Sequence, residues 1–213
     1  MHRDDVWRAI DDERSSLADL LDDLSGPEWE TPSLCAGWRV REVAAHLTLA
    51  HTGVGSAAVA MLRARGSFDR MVHDTAVRQA ALPVAEYAVR LLGMVGSRRK
   101  APGVTHLEPL LDILVHGQDI ARPLGRSRPM PTDAAATAAT RAWTMGWPFH
   151  ARRKLDGFEL VAVDHAWSVG QGPRVEGPIG AILLLLTGRH AALAELSGPG
   201  AGALTARLSP AQR

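Results

Sequence analysis

The sequence of 213 residues contains a single cysteine, Cys35, and this scarcity limits how the fold can be stabilised. One cysteine cannot form an internal disulfide, and it cannot supply the several thiolates of a structural zinc site. Any metal site in the chain must therefore be built from histidine and carboxylate side chains.

Long hydrophobic runs and an excess of one charge are also missing. The longest apolar run, residues 179–186, is interrupted by Gly180 and is far too short to span a bilayer. Residues 1–5 are charged and lack the apolar segment of a secretory signal, so we expect a cytoplasmic protein. The net charge of +1 gives no reason to expect nucleic acid or a membrane as a partner.

Apolar residues recur at helical spacing over the first two thirds of the chain and predict a helical bundle. Turn formers such as Gly26-Pro27 and Arg122-Pro123 separate the periodic segments. The predicted helices cover the segment before Gly26, residues 39–65, a third segment that starts at Pro83, residues 106–121, and a fifth segment from Thr132 or Asp133 to about Gly146. Residues 69–82 are predicted to form a short helix or an irregular crossover.

Beyond about residue 150 the pattern changes to that of a small α/β unit. Residues 158–164 alternate like a strand, and residues 167–175 are interrupted by glycines and resemble a hairpin. Residues 177–188 resemble a buried helix, and residues 201–208 fit either a strand or a helix. We therefore predict a mainly α protein, with a four-helix bundle in residues 1–150 and a small α/β domain in residues 151–213.

The sharpest local pattern for chemistry is Asp112-Ile-Leu-Val-His116. Residues four apart lie on the same face of a helix, so this carboxylate and imidazole can hold one cation together. The three residues between them are apolar, and unpaired polar groups beside a buried face are costly. A metal would satisfy both groups, although an Asp-x-x-x-His pair on a helix is also common as a hydrogen-bonded surface pair.

A second imidazole on another helix strengthens the metal interpretation. His46 follows Val43 by three positions and lies beside the apolar stripe of the second predicted helix. Alone, such a histidine is usually a satisfied core or boundary residue. Together with Asp112 and His116 it would give three protein ligands and an open position, the arrangement of catalytic zinc. Nickel and iron also accept this donor set.

Other polar and aromatic residues carry weaker predictions. Asp119 follows His116 by three, so it can either orient that imidazole or pair with Arg122. Cys35 is expected to be a small, buried, apolar side chain. His51 lies five residues after His46 and shares a helix face with it poorly. Five tryptophans are expected in the core: Trp29, Trp38, Trp143, Trp147 and Trp167. The remaining histidines show no ligand spacing: His73, His106, His150, His165 and His190.

Two blocks of sequence resemble a known family of metalloenzymes. The first, Ser33-Leu-Cys-Ala-Gly-Trp-Arg-Val-Arg-Glu-Val-Ala-Ala-His46-Leu47, is similar to the entry to the second helix in the mycothiol-dependent maleylpyruvate isomerase family, a branch of the DinB-like superfamily. The second, residues 112–125, resembles the second metal-binding helix of that family. Segments near Asp164, Gly188 and Glu195 are similar to its C-terminal domain.

The resemblance implies zinc bound by a histidine of the second helix and by a Glu-x-x-x-His pair. These positions correspond to His46, Asp112 and His116, and Asp112 departs from the family by one methylene. The resemblance also implies mycothiol as the thiol cosubstrate and, in the namesake enzyme, conversion of maleylpyruvate to fumarylpyruvate.

The leading functional hypothesis is a mycothiol-dependent isomerase or S-transferase that acts on a small electrophile. The metal would hold the thiol as the reactive thiolate, and Arg63, Arg65 or Arg122 would contact a dicarboxylate substrate. Two alternatives remain: a metal-stabilised protein that binds a small molecule or thiol without catalysis, and a metal-free scaffold.

Overall fold

The computed structural model describes residues 1–49, 68–100 and 103–209, and for residues 68–72 it describes the backbone alone. These residues form two compact units, His2–Arg128 and Pro129–Arg213. The helix at Thr132–Thr144 is thus grouped with the second unit, whereas the predicted domain boundary near residue 150 placed it in the first domain. That boundary stays a prediction, because a compact unit is not by itself an independently folding domain.

Among the described residues of the first unit, all the named secondary-structure elements are helices. The long helices carry the apolar spacing that the sequence analysis used, and short turns with proline or glycine separate them. Their bounds are α1 Arg3–Asp22, α2 Gly26–Trp29, α3 Val40–Leu47, α4 Phe68–Gln79, α5 Ala85–Leu92 and α6 Leu107–Ala121. The part of the predicted second helix from Ala50 onward lies outside the described residues.

The bundle is formed by α1, α3, α5 and α6. Helix α1 packs against α5 and α6, and α3 packs against α6, α5 and α4. The core between them contains the buried side chains Leu17, Leu21, Val43, Tyr87, Leu91, Ile113 and Ile120. The predicted fold class, a mainly α bundle followed by a small α/β unit, is confirmed. Leu92 at the end of α5 and Val95 just beyond it are 46% and 41% exposed, so the buried stripe of α5 is narrow.

Side-chain caps fix where the two central helices begin. Before α6, Glu108 Oε2 accepts the backbone N–H of Thr105 at 2.6 Å, and Thr105 Oγ1 accepts the N–H of Leu107 at 3.1 Å. Before α3, Glu42 Oε2 accepts the N–H of Arg39 at 2.8 Å. The bond to Leu107 satisfies an amide of the first turn, and the two glutamates bind amides just before their helices. These side chains therefore help to fix where each helix begins.

The second unit combines a three-stranded sheet with helices. Its elements are α7 Thr132–Thr144, α8 Ala151–Lys154, β1 Glu159–Ala162, β2 Ser168–Gly170, β3 Arg174–Gly177, α9 Ile179–Leu186, a 3₁₀ helix His190–Glu195 and α10 Ala201–Leu208. An alanine-rich face of α7 packs against the apolar helix α9, because small side chains let two helices approach closely. None of the helices described in either unit combines the length and apolarity needed to cross a bilayer.

The sheet corrects one sequence prediction, the hairpin in residues 167–175. The strand order is β2-β1-β3, with β1 antiparallel to β2 and parallel to β3. The chain between β2 and β3 passes over the start of β1, where a Cβ on Gly172 would lie 2.2 Å from the carbonyl oxygen of Gly157. The glycines that suggested a hairpin turn instead permit this close backbone crossing, which moves β3 to the far side of β1.

Candidate metal centre

Helices α3 and α6 bring together the three side chains that the sequence analysis selected as metal ligands. Asp112 Oδ1 lies 3.6 Å from His46 Nε2 and 3.3 Å from His116 Nε2. One ligand atom from each residue lies within 4.8 Å of the other two. The imidazole rings of His46 and His116 meet edge to face, with centroids 4.9 Å apart.

The distances between these atoms are compatible with three ligands of one metal ion. A contact of 3.6 Å between a nitrogen and a carboxylate oxygen is too long for a hydrogen bond. Zinc bonds to nitrogen and oxygen are about 2.0–2.2 Å long, so two such ligands on a tetrahedral ion lie about 3.3–3.5 Å apart. The cluster formed by His46, Asp112 and His116 has nearly this spacing, and its donor types suit zinc.

Charge is distributed in this cluster in a way that favours a cation. Burial by itself would raise the pKa of the Asp112 carboxyl, but His46 and His116 outweigh it and hold that pKa far below its usual range. Burial would likewise lower the pKa of His116, but its hydrogen bonds to Asp112, Asp119 and Cys35 raise it well above the ordinary value. In the absence of metal these shifts favour the protonated imidazole of His116, and a metal would compete with that proton.

Asp119 contacts a different ring nitrogen of His116 from the one that faces Asp112. Its Oδ2 is 2.8 Å from His116 Nδ1, and the side chain is fully buried. A carboxylate in this position accepts the Nδ1 hydrogen and leaves Nε2 free to bind a metal. The predicted contact of Asp119 with His116 is therefore present.

Cys35 contacts the same carboxylate, which the sequence analysis did not anticipate. Its Sγ lies 3.0 Å from Asp119 Oδ2 and 3.6 Å from His116 Nδ1. Cys35, His116 and Asp119 thus form a second group with metal-ligand atoms in mutual reach. Its shortest distances, 2.8 and 3.0 Å, are hydrogen-bond lengths and are too short for two ligands on one zinc ion.

The loop before α3, residues 33–38, positions Cys35 through several backbone contacts. Ser33 Oγ donates to the carbonyl of Trp38 at 2.8 Å and accepts the N–H of Cys35 at 3.1 Å. The backbone N–H of Leu34 donates to the carbonyl oxygen of Asp119 at 3.2 Å. Gly37 adopts φ +80°, a left-handed conformation that glycine tolerates best. Asp119 therefore holds this loop through both its backbone and its side chain.

Trp38 extends the site beyond His46. Its ring centroid lies 5.4 Å from that of His46 and 6.2 Å from that of His73, and its Nε1–H donates to His73 Nδ1 at 2.8 Å. Because an indole N–H can only donate, His73 Nδ1 is the acceptor and the ring hydrogen of neutral His73 lies on Nε2. Trp38 was expected in the core, and no regular spacing in the sequence relates it to His46 or His73.

The other sequence candidates fall outside this cluster or outside the described residues. Arg63, Arg65 and His51 belong to the part of the chain that is not described. The Nε of Arg122 donates to Gln118 Oε1 at 2.9 Å. Among the described residues, no candidate metal cluster includes His73, His106, His150, His165 or His190.

The fold and this cluster define a helical-bundle protein with a candidate metal centre between two facing helices. Residues 10–101 match the family described as the mycothiol maleylpyruvate isomerase N-terminal domain. This match covers less than half of the chain, and it confirms the resemblance seen in the sequence. The matched region contains His46 and the loop at residues 33–38, and it ends before α6.

Solved structures of similar fold extend over nearly the whole chain. A crystal structure of the mycothiol-dependent maleylpyruvate isomerase superposes with a TM-score of 0.65 at 15% identity, covering 94% of each chain. A histidine-to-alanine mutant of that enzyme superposes with a TM-score of 0.64 at 16% identity, again over 94% of each chain. At these identities the likeness shows the shared fold. A comparison with curated protein sequences finds no significant match.

Proposed function

We propose that the protein binds one divalent metal ion, first of all zinc, through His46, Asp112 and His116, and that it is a mycothiol-dependent enzyme acting on a small electrophile. The observation that carries the proposal is the convergence of Nε2 of both histidines on Asp112 Oδ1, at 3.6 and 3.3 Å. The family of the N-terminal domain supports the choice of thiol. Nickel and iron are the other metals that this donor set suits.

Three protein ligands leave a coordination position open for a thiol or for substrate. A divalent ion at this position would lower the pKa of a thiol and keep it as the nucleophilic thiolate. The contributions of the chain itself are geometric. Asp119 holds His116 with Nε2 turned toward Asp112, and the Trp38 ring packs at a tilt against His46.

The thiolate would add to an electrophilic carbon of the substrate, and the next step separates two reactions. In an isomerisation, addition to a carbon–carbon double bond allows rotation, and elimination then regenerates the thiol. In an S-transfer, the new carbon–sulfur bond persists and the thiol is consumed. The mycothiol-dependent isomerase that shares this fold acts on maleylpyruvate, so maleylpyruvate is the first substrate to test.

Incubation of zinc-loaded protein with mycothiol and maleylpyruvate tests this function. We expect turnover that requires both mycothiol and metal, and that falls at least about 100-fold in His46→Ala, as expected when one metal ligand is lost. Constant thiol during product formation indicates an isomerase, whereas loss of one thiol per product indicates a transferase. Absence of turnover with maleylpyruvate and with a panel of electrophilic alkenes, epoxides and alkyl halides would contradict the enzymatic proposal.

The second candidate function is binding without catalysis. The same ligands would then hold a metal that captures a thiol or another small molecule. Calorimetric titration of the zinc-loaded protein with mycothiol separates the two candidates when it is paired with the turnover assay. Binding without turnover would favour the non-enzymatic function.

Asp119→Asn should weaken zinc binding, since the neutral amide no longer makes His116 more basic. Loss of such a partner typically costs about 10- to 100-fold in metal affinity. Asp133→Asn is a matched control, because Asp133 Oδ1 contacts His165 Nε2 at 3.0 Å but lies outside the cluster. Competition with a chromophoric chelator gives the zinc dissociation constant of each variant. Equal losses of zinc affinity in Asp119→Asn and Asp133→Asn would refute the role of Asp119.

A further inference from the structure

We propose that Cys35 is a positioning residue of the metal centre, and that its thiol fixes the Asp119 carboxylate that orients His116. The inference rests on the proposed metal site. It assigns a task to the only cysteine of the chain, which is also the only thiol that the protein itself could bring near the metal.

The geometry makes the thiol a hydrogen-bond donor and not a metal ligand. Cys35 Sγ lies 3.0 Å from Asp119 Oδ2, and an ionised carboxylate can only accept, so the S–H donates. The same oxygen lies 2.8 Å from His116 Nδ1. Oδ2 therefore receives two hydrogens, one from the loop and one from α6, and the positions of both donors determine where it lies.

Because the Asp119 carboxylate is buried, the loss of one of its hydrogen-bond donors should matter. The Asp119 side chain has no exposed surface, so a donor that is lost cannot be replaced freely by solvent. Without the thiol hydrogen, Oδ2 loses one of the two donors described here, and the carboxylate is held less firmly. A carboxylate held less firmly loosens the orientation of His116 Nε2, which is the atom that faces Asp112.

The loop at residues 33–38 holds the Cys35 thiol in place, so this donor has little conformational freedom. The backbone of residues 33–38 is held by Ser33, and the adjacent Leu34 N–H is bonded to the carbonyl of Asp119. The sulfur is therefore brought to Oδ2 by backbone contacts that do not depend on the metal. A donor held in this way limits the entropy lost when the metal binds.

Packing is the competing explanation for Cys35, which also touches the apolar core of the bundle. The two explanations rank substitutions in opposite order. If the hydrogen bond from Cys35 matters, Cys35→Ser keeps the zinc affinity and Cys35→Val lowers it, because serine can donate a hydrogen bond and valine cannot. If packing matters, valine is the better replacement and serine the worse.

Zinc affinities of the three variants, measured by chelator competition on the full chain, test the proposal. We expect Cys35→Ala and Cys35→Val to bind zinc about 10-fold more weakly than the unsubstituted protein, as for other outer partners of a metal ligand. Cys35→Ser should remain within about threefold, since a hydroxyl also donates to a carboxylate. Equal affinities in all variants, or an affinity kept by valine and lost by serine, would overturn the proposal.

Infrared spectroscopy of the metal-free protein gives a readout that does not depend on the proposed metal site. With a single cysteine in the chain, the S–H stretching band belongs to Cys35 alone. We expect this band at lower wavenumber than that of a thiol in water, and a return toward the free value in Asp119→Ala. An unshifted band overturns the Cys35 proposal even if zinc binds. A shifted band in a protein that binds no zinc overturns the metal centre, and with it the positioning role, but leaves the hydrogen bond between Cys35 and Asp119. A second zinc equivalent that disappears in Cys35→Ala would also overturn the proposal, because Cys35 would then be a ligand.

Discussion

His46→Ala and His116→Ala are each expected to lower the zinc affinity of the protein by about 100-fold or more. Structural zinc sites with four ligands gain about 10–16 kcal/mol on binding, so each ligand contributes about 3 kcal/mol. Since about 1.4 kcal/mol corresponds to a factor of ten, removal of one ligand costs about two orders of magnitude. Both imidazoles present Nε2 to Asp112 Oδ1, so the loss should be similar in the two variants.

Metal content after gel filtration and chelator competition measures this loss. His190→Ala serves as the control, because His190 is exposed and belongs to no ligand cluster among the described residues. The unsubstituted protein and this control should retain one zinc per chain. Full zinc content in both ligand variants would refute the assignment of His46 and His116.

Asp112 needs a test of its own because the family pattern has glutamate at this position. Asp112→Ala should weaken zinc binding as strongly as the histidine variants, since it removes the only anionic ligand. Asp112→Glu keeps the carboxylate and adds one methylene, so it should bind zinc far better than Asp112→Ala. If Asp112→Ala leaves the affinity unchanged, Asp112 is not a ligand.

Arg128→Met is expected to lower the free energy of unfolding by about 3–5 kcal/mol, the usual cost of leaving a buried charge without its partner. The Arg128 and Glu13 side chains are only 5% and 10% exposed, and Arg128 Nη2 donates to Glu13 Oε2 at 2.6 Å. Arg128 also donates to the Glu13 carbonyl and to Ser16 Oγ. The guanidinium therefore links the end of the first unit to α1.

The effect of this substitution should depend on pH. Burial raises the pKa of Glu13 despite the nearby Arg128, and without that arginine the pKa of the folded state rises further. A carboxyl whose pKa is higher in the folded state favours folding at low pH, and this contribution is lost as pH rises through the folded value. The destabilisation of Arg128→Met should therefore be larger at neutral pH than at acidic pH.

Urea unfolding of the full chain at both pH values measures these differences. Arg126→Met is the matched control, because Arg126 pairs with Asp23 and Glu28 at the surface, and exposed pairs contribute little. Adding Glu13→Gln to Arg128→Met should restore part of the lost stability. An Arg128→Met variant no less stable than Arg126→Met would contradict the importance of this buried pair.

Regular spacing made much of the fold and the candidate ligands predictable. The four-residue spacing of Asp112 and His116 follows directly from helix geometry, and α6 places both on one face. His46 was linked to them by its place beside the apolar stripe of another helix, and the family resemblance supported this link. No spacing rule relates positions on different helices. The identity of the ligands in solution stays a prediction until zinc is measured.

Contacts between a loop and a helix were not predictable in the same way. Cys35 and Trp38 reach the site from a segment without periodicity, so the sequence offered only their chemical types. The predicted hairpin in residues 167–175 was wrong because a glycine in a loop can permit a turn or a close crossing. Sequence alone does not distinguish these two uses of glycine.

The distribution of the ligands over α3 and α6 has a consequence for the order of events in folding. His46 is separated from Asp112 and His116 by more than half of the first unit, so an unfolded chain offers only the local pair to a metal. A metal would therefore bind the assembled bundle, and it would not nucleate folding. By mass action, metal at about 100 times its dissociation constant would add about 2.7 kcal/mol to the stability of the folded chain. Such a metal would mainly slow unfolding, and folding should proceed at nearly the same rate with and without it.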